Sequence, residues 1–132
     1  MQFIKLDITD DEYRQLVIDT IGQYIPHVKH DISVCKNDDD TVAVFNYFTF
    51  CPDTLFLHYT WFSEKYRVKI MKLQYWTGFC EYVKAMGFKR IMGIIDSKNI
   101  PALVWALKTG WEITGARKDV KDNLLVDIVK EL

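Results

Sequence analysis

Neither a large net charge, nor paired cysteines, nor a long apolar run is present in this 132-residue sequence, and each absence removes a class of protein. Lys and Arg together number 17 and Asp and Glu 18, a formal net charge of −1, so the polybasic balance of a nucleic-acid-coating chain is missing. No helix-turn-helix, zinc-finger or ribonucleoprotein signature is visible either. Cys35, Cys51 and Cys80 are odd in number and far apart, which excludes a disulfide framework, and no pair has CxxC spacing. Buried free thiols are the expectation. His27 and His30 flank a loop without a carboxylate at ligand spacing, so no metal site is expected. Six glycines and three prolines leave no collagen-like or low-complexity tract. No apolar run reaches the roughly 18 to 20 residues of a membrane span. The first residues lack the basic start and apolar core of a signal peptide, which predicts a cytoplasmic protein. No Gly-x-Ser-x-Gly or P-loop sequence is present.

What remains is a globular composition, 49% apolar and 27% charged, read as a single domain over residues 1–132 that hides roughly two-thirds of its unfolded surface. Four Trp, seven Tyr and eight Phe supply a large core, with rings to spare for a groove or an interface. Charge is unevenly spread. Residues 1–53 hold ten acids and four bases, whereas residues 54–132 hold eight acids and thirteen bases. The densest basic stretch is Lys65, Arg67, Lys69 and Lys72, opposed by Glu64. It falls at a predicted helix start, where unpartnered N–H groups and the macrodipole favour anions. The plain alternative is a solvated first turn.

Periodicity gives the elements. A strand over 3–6 precedes a helix capped by Thr9 or Asp10, with Leu16, Val17, Ile21 and Tyr24 at helical spacing, Gly22 near its end and Pro26 stopping it. Alternation from Ile32, the turn Asn37-Asp38-Asp39-Asp40 and a β-rich run over 41–50 make a hairpin. After Cys51-Pro52-Asp53 comes a strand over 55–62. Ser63 is the expected N-cap of a helix over 64–86, whose stripe is Val68, Met71, Tyr75, Phe79, Tyr82 and Met86, with Gly87 at its end. Residues 90–95 read as a strand buried on both faces. Asn99-Ile100-Pro101 opens a helix that stops at Gly110, and strands over 111–117 and 124–129 flank a polar turn. The order is β-α-β-β-β-α-β-α-β-β. The predicted sheet is mixed and mostly antiparallel, with the strands at 55–62 and 90–95 parallel neighbours that can splay into a cleft.

This order, together with Asn99-Ile100-Pro101-Ala102-Leu103-Val104-Trp105-Ala106-Leu107-Lys108-Thr109-Gly110-Trp111, resembles the GNAT N-acetyltransferase family over essentially the whole chain. Asn99, Ala102, Lys108 and Gly110 match in register the family's N-x-x-A-x-x-hydrophobic-Y-x-K/R-x-G-F segment, with Trp111 in place of Phe. The segments 85–91 and 111–115 are similar to the stretches that lead into the family's next strand and its last hairpin. Asn99 can cap its helix, Gly110 can take the positive φ that ends it and Trp111 can bury its ring, so the match speaks for the fold first. The resemblance implies acetyl-CoA as cofactor and a small-molecule or protein amine as acceptor, entering near the acidic half. It places the pantetheine beside residues 57–62, including Phe62. It puts the phosphates at Arg67, Val68, Lys69, Ile70, Met71 and Lys72, and adds Asn99 to the cofactor-binding residues.

Two departures bear on that chemistry. Ile70 and Lys72 stand where the family's phosphate loop has small residues that let a pyrophosphate reach the backbone N–H groups. Either Lys69 or Lys72 supplies a cation instead, or coenzyme A no longer binds. Ala106 replaces the family's Tyr, which protonates the departing thiolate. For the base that neutralises the amine, the candidates are Glu64 at the strand's end and His58 within it. Their ordinary alternatives are a first-turn acid and a half-buried strand residue. A second resemblance, to small tailed-phage virion and head-assembly proteins of GNAT-like shape, implies a non-catalytic protein with virion or self-association partners.

Overall fold

The structure, a computed structural model, describes residues 1–22 and 29–132, and of Lys69 and Ile70 the backbone alone. The expectations for Tyr24, Pro26 and His27 lie outside the described residues. The elements are β1 (Gln2–Lys5), α1 (Asp10–Ile21), β2 (Asp31–Asn37), β3 (Asp40–Cys51), β4 (Thr54–Phe62), a 3-10 turn (Glu64–Tyr66), α2 (Lys69–Ala85), β5 (Arg90–Asp96), α3 (Ile100–Lys108), β6 (Glu112–Lys118) and β7 (Leu124–Glu131). Hydrogen bonding links the strands in the order β1-β2-β3-β4-β5-β7-β6. β4 and β5 are parallel over Thr54–Arg90 to Phe56–Met92, and β1–β2, β2–β3, β5–β7 and β6–β7 are antiparallel. The mixed, mostly antiparallel sheet and the element order match the expectation. No helix among the described residues is long and apolar enough to cross a membrane.

Two compact units share the chain. The first comprises Met1–Phe48 and Tyr59–Phe79. Thr9 caps α1 through a reciprocal pair: its hydroxyl accepts from the Glu12 N–H, and the Glu12 carboxylate accepts from the Thr9 N–H. Asp10 is not the cap. Tyr13 and Val17 of α1 are buried against Ile32, Val34 and Val44, while Ile21, expected on that face, is exposed. β3 is buried on both sides, because alternate residues meet different partners. Val44 belongs to the α1 cluster, and Phe45 stacks on Phe79 of α2 with centroids 3.9 Å apart. One polar residue, Asn46, sits fully buried in β3. Its Oδ1 meets His30 Nδ1 at 2.9 Å, and its Nδ2 donates to the Tyr13 hydroxyl at 3.1 Å. Such pairing removes most of the cost of burying an amide.

The second unit comprises Thr49–His58 and Cys80–Leu132. Arg90 ties its strands together, with Nη1 3.4 Å from Asp53 and Nε 3.4 Å from Glu131. Asn99 caps α3 by accepting from the Ala102 N–H. Gly87 and Gly110 take the positive φ values of 104° and 89° that their helix ends require. Trp111 is buried, as expected.

Four packing expectations are corrected. Residues 64–66 form a 3-10 turn and α2 begins at Lys69 rather than at 64. The stripe fails at both ends, since Val68 is 60% and Met86 43% exposed; Trp76 and Val83 are buried alongside Tyr75 and Phe79. With the helix starting later, Val68 is not on it, and the buried face is set by the residues that reach the sheet. β5 is covered unevenly: Ile91 is fully buried but Ile94 is 37% exposed. Of the thiols, only Cys35 is buried, while Cys51 and Cys80 are half-buried; all three are free.

Candidate functional site

The expected site residues of the first unit gather where β4 runs into α2. β4 ends at Phe62, and the Ser63 N–H donates to the Val42 carbonyl at 2.9 Å, holding the chain against β3. Ser63 precedes the 3-10 turn and makes no side-chain cap. The Tyr66 N–H returns to the Ser63 carbonyl at 2.9 Å and closes the turn. Tyr66 is buried edge-on to Tyr75, with centroids 5.9 Å apart. Its hydroxyl donates to Asp40 Oδ2 at 3.1 Å, and Lys65 Nζ approaches the same oxygen at 3.4 Å. That bond raises the Lys65 pKa, aided by the nearby tyrosine and by the Asp40 charge.

Arg67 and Val68 fill the gap between turn and helix. The exposed Arg67 donates from Nε to the Phe62 carbonyl at 2.8 Å, bridging the strand's end to the helix's approach. Lys72 N–H makes the first bond of α2, to the Val68 carbonyl at 2.9 Å. The N–H groups of the first turn ahead of it have no intrahelical acceptor by helix geometry. Lys72 Nζ lies over the Phe62 ring, 5.9 Å from its centroid. Phe62, Arg67, Val68 and Lys72 are thus brought together, and Met71 lies half-buried in the same turn. Lys69 and Ile70 belong to the helix by their backbone.

The charge of this helix start is inverted. α1 carries Asp10, Asp11 and Glu12 in its first turn, the arrangement a helix dipole favours. The first turn of α2 has no acid, and Lys69 opens it, with Arg67 just before and Lys72 just after. A cation in that position costs roughly 0.3 to 1 kcal/mol in an isolated helix. Its chemistry suits an anion, which the orphan N–H groups and the cations can bind together.

Of the remaining candidates, Glu64 belongs to the same junction and the others lie elsewhere on the chain. Glu64 is exposed in the 3-10 turn, and its carbonyl accepts from the Arg67 N–H. His58 lies on β4 and is exposed, not half-buried. Asn99 belongs to the second unit, where its side-chain oxygen is occupied by the α3 cap. Ala106 is buried in α3, and its carbonyl accepts from the Trp111 N–H at 3.0 Å. Among the described residues, no group of three or more His, Cys, Asp or Glu could hold a metal. A cavity of about 380 Å³ lined by residues 5–8 and 29–32 shares no residue with the expected site.

The sequence did not mark Asp40 or Tyr66 as part of this junction. Asp40 is one of three consecutive aspartates in a turn, and Tyr66 is one aromatic among many. Their pairing is a long-range contact that no local spacing encodes.

No protein-family model matches the sequence, and no curated protein is similar to it. Solved structures do match. An acetyltransferase from Bacillus subtilis in complex with CoA superposes with a TM-score of 0.73 at 16% identity, covering 99% of this chain and 98% of that one. A GNAT family acetyltransferase from Elizabethkingia anophelis with acetyl-CoA bound gives 0.72 at 12% identity, covering 99% and 97%. The ribosomal-protein-S18-alanine N-acetyltransferase from Escherichia coli gives 0.72 at 8% identity, covering 98% and 92%. At these identities the likeness is one of architecture, carried over nearly the full length of both chains: this protein has the GNAT N-acetyltransferase fold.

Proposed function

We propose that the chain binds acetyl-CoA at the β4–α2 junction and transfers the acetyl group to an amine. The observation that carries this reading is the inverted charge of the α2 start, within a fold whose similar structures include proteins with CoA or acetyl-CoA bound. Arg67 and Lys72 would meet the phosphates together with the first N–H groups of α2. The donor set fits an anion, and Lys72, where the resembling family has a small residue, holds its Nζ over the Phe62 ring. Bound acetyl-CoA supplies an activated acyl group as a thioester. Phe62 would line the path of the pantetheine. Exposed Glu64 would take a proton from the substrate ammonium, directly or through water, and so leave the neutral amine as the nucleophile. Coenzyme A would leave as its thiolate, and Ala106, in the second unit, carries no side-chain proton.

The test is calorimetric titration with acetyl-CoA and, in parallel, desulfo-CoA at low salt, on the unsubstituted protein and on Arg67→Ala. Micromolar binding that weakens about tenfold in the variant, the worth of one charge-assisted contact, supports the reading, and an amine screen then follows. No heat and no thermal shift at millimolar ligand would sink it. A non-catalytic protein of GNAT shape, with protein partners, would then be the function to pursue.

A further inference from the structure

We infer that Asp40 is the positioning residue of the β4–α2 junction, acting through Tyr66 to fix the approach of Arg67 and the first N–H groups of α2. The inference rests on the anion-binding reading above. The segment between Phe62 and Lys69 has little regular structure of its own: one 3-10 turn of three residues, then two residues before α2. Its shape is therefore set by what ties it down.

Beyond the bonds inside the 3-10 turn, three ties among the described residues bear on this segment. The Ser63 N–H donates to Val42 of β3, Arg67 Nε donates to the Phe62 carbonyl, and Tyr66 and Lys65 both converge on Asp40 Oδ2. The first holds the segment's start, and the second closes the segment on itself. Among the described residues, the third joins the middle of the segment by side-chain hydrogen bonds to the tip of the β2–β3 hairpin, beside the packing of Tyr66 on Tyr75. Asp40 begins β3 there and pairs with Asn37, next to Asp38 at a positive φ of 56°. Tyr66 is the rigid arm of the link. Its ring is buried against Tyr75, so the hydroxyl can reach Asp40 in few arrangements, whereas Lys65 is long and mostly in solvent.

Charge and position predict opposite signs, which makes the role separable. Asp40 is an anion beside an anion-binding site. If only charge mattered, removing it would strengthen phosphate binding and release Lys65 to help. If Asp40 holds the segment in place, its loss costs affinity despite the added positive charge, because orientation is lost before binding and must be restored on it.

The test compares the unsubstituted protein, Asp40→Ala and Tyr66→Phe by titration with acetyl-CoA and with S-acetylpantetheine, which lacks the nucleotide phosphates, and by amide hydrogen exchange. Tyr66→Phe keeps the buried ring and removes the hydroxyl that bonds Asp40. The expected result is acetyl-CoA binding weakened about threefold to tenfold in both variants, the worth of one hydrogen bond to a charged group near the surface. S-acetylpantetheine binding stays unchanged, and exchange rises at residues 67–71 above the change elsewhere. Unchanged or tighter acetyl-CoA binding in both variants, with the unsubstituted protein binding normally, overturns the role of Asp40 and leaves the cofactor reading intact. No acetyl-CoA binding by the unsubstituted protein overturns both.

Discussion

Lys130 Nζ donates to the carbonyl oxygen of Thr109 at 2.8 Å, so a residue of β7 closes the last turn of α3. The carbonyls at a helix C-terminus lack intrahelical donors and carry the negative end of the dipole, and a cation answers both. Gly110 follows at φ 89°, and a Cβ there would lie 3.0 Å from the same ammonium, so a glycine serves the backbone angle and the approach of Lys130 alike. Lys130→Met keeps the packing of the stem and removes the bond. The expected loss is about 1 kcal/mol in urea unfolding, at the low end for a charged hydrogen bond because the site is only partly buried. A variant as stable as the parent would show that solvent replaces Lys130 at no cost.

Gly78 is required by contact rather than by backbone angle. A Cβ built there would lie 2.9 Å from Cε2 and 3.0 Å from Cζ of Phe3, and 3.3 Å from Cε of Met1. Phe3 is itself set among Phe45 and Phe79, with centroids at 6.1 and 6.4 Å. Alanine is the better helix former by about 1 kcal/mol, and overpacking costs about 1 to 3 kcal/mol. Gly78→Ala is therefore expected to destabilise by up to about 2 kcal/mol. In a Phe3→Leu background the same change should cost less or become favourable, a coupling readable from a double-mutant cycle. A stabilised Gly78→Ala single variant would mean that Phe3 yields without loss.

Burial pushes the Cys35 and Cys80 thiols up to about 11, with the N-terminal charge opposing the shift at Cys35 and Lys130 opposing it at Cys80. The folded state thus holds these protons more tightly than the unfolded chain. Their contribution to stability is complete below the unfolded thiol pKa, about 8.5, and is lost as pH rises through the folded value. Stability should fall between pH 9 and 11 less steeply in Cys35→Ala than in the parent, whatever the variant's offset at pH 8. Urea midpoints across that range decide it, and parallel slopes would exclude Cys35 as a contributor. Alkylation at pH 8 should likewise leave Cys35 and Cys80 slow to react.

Much of the architecture was legible because its signals are local. Thr9 is one of the two cap candidates of α1, Asn99-Ile100-Pro101 encodes a helix start, and Gly87 and Gly110 stand where a left-handed residue ends a helix. Strand alternation gave the hairpin and the order of elements. The basic cluster at 65–72 was visible as charge. Its geometry was not, because the spacing from Val68 to Met86 is compatible with one continuous helix.

Local signals carry the elements, their order and the ends of most helices, since caps, turns and periodicity act between residues a few positions apart. Tertiary structure decided where α2 begins, which of its faces is buried, and what becomes of each charge at its start. Tyr66 stands in a 3-10 turn rather than in a helix, and its hydroxyl donates to Asp40, 26 residues away. Arg67 points back to Phe62, and Asn46 is buried because His30 and Tyr13 complete its hydrogen bonds. Those outcomes depend on partners that only folding brings within reach, and no window along the chain contains both ends of the longer contacts.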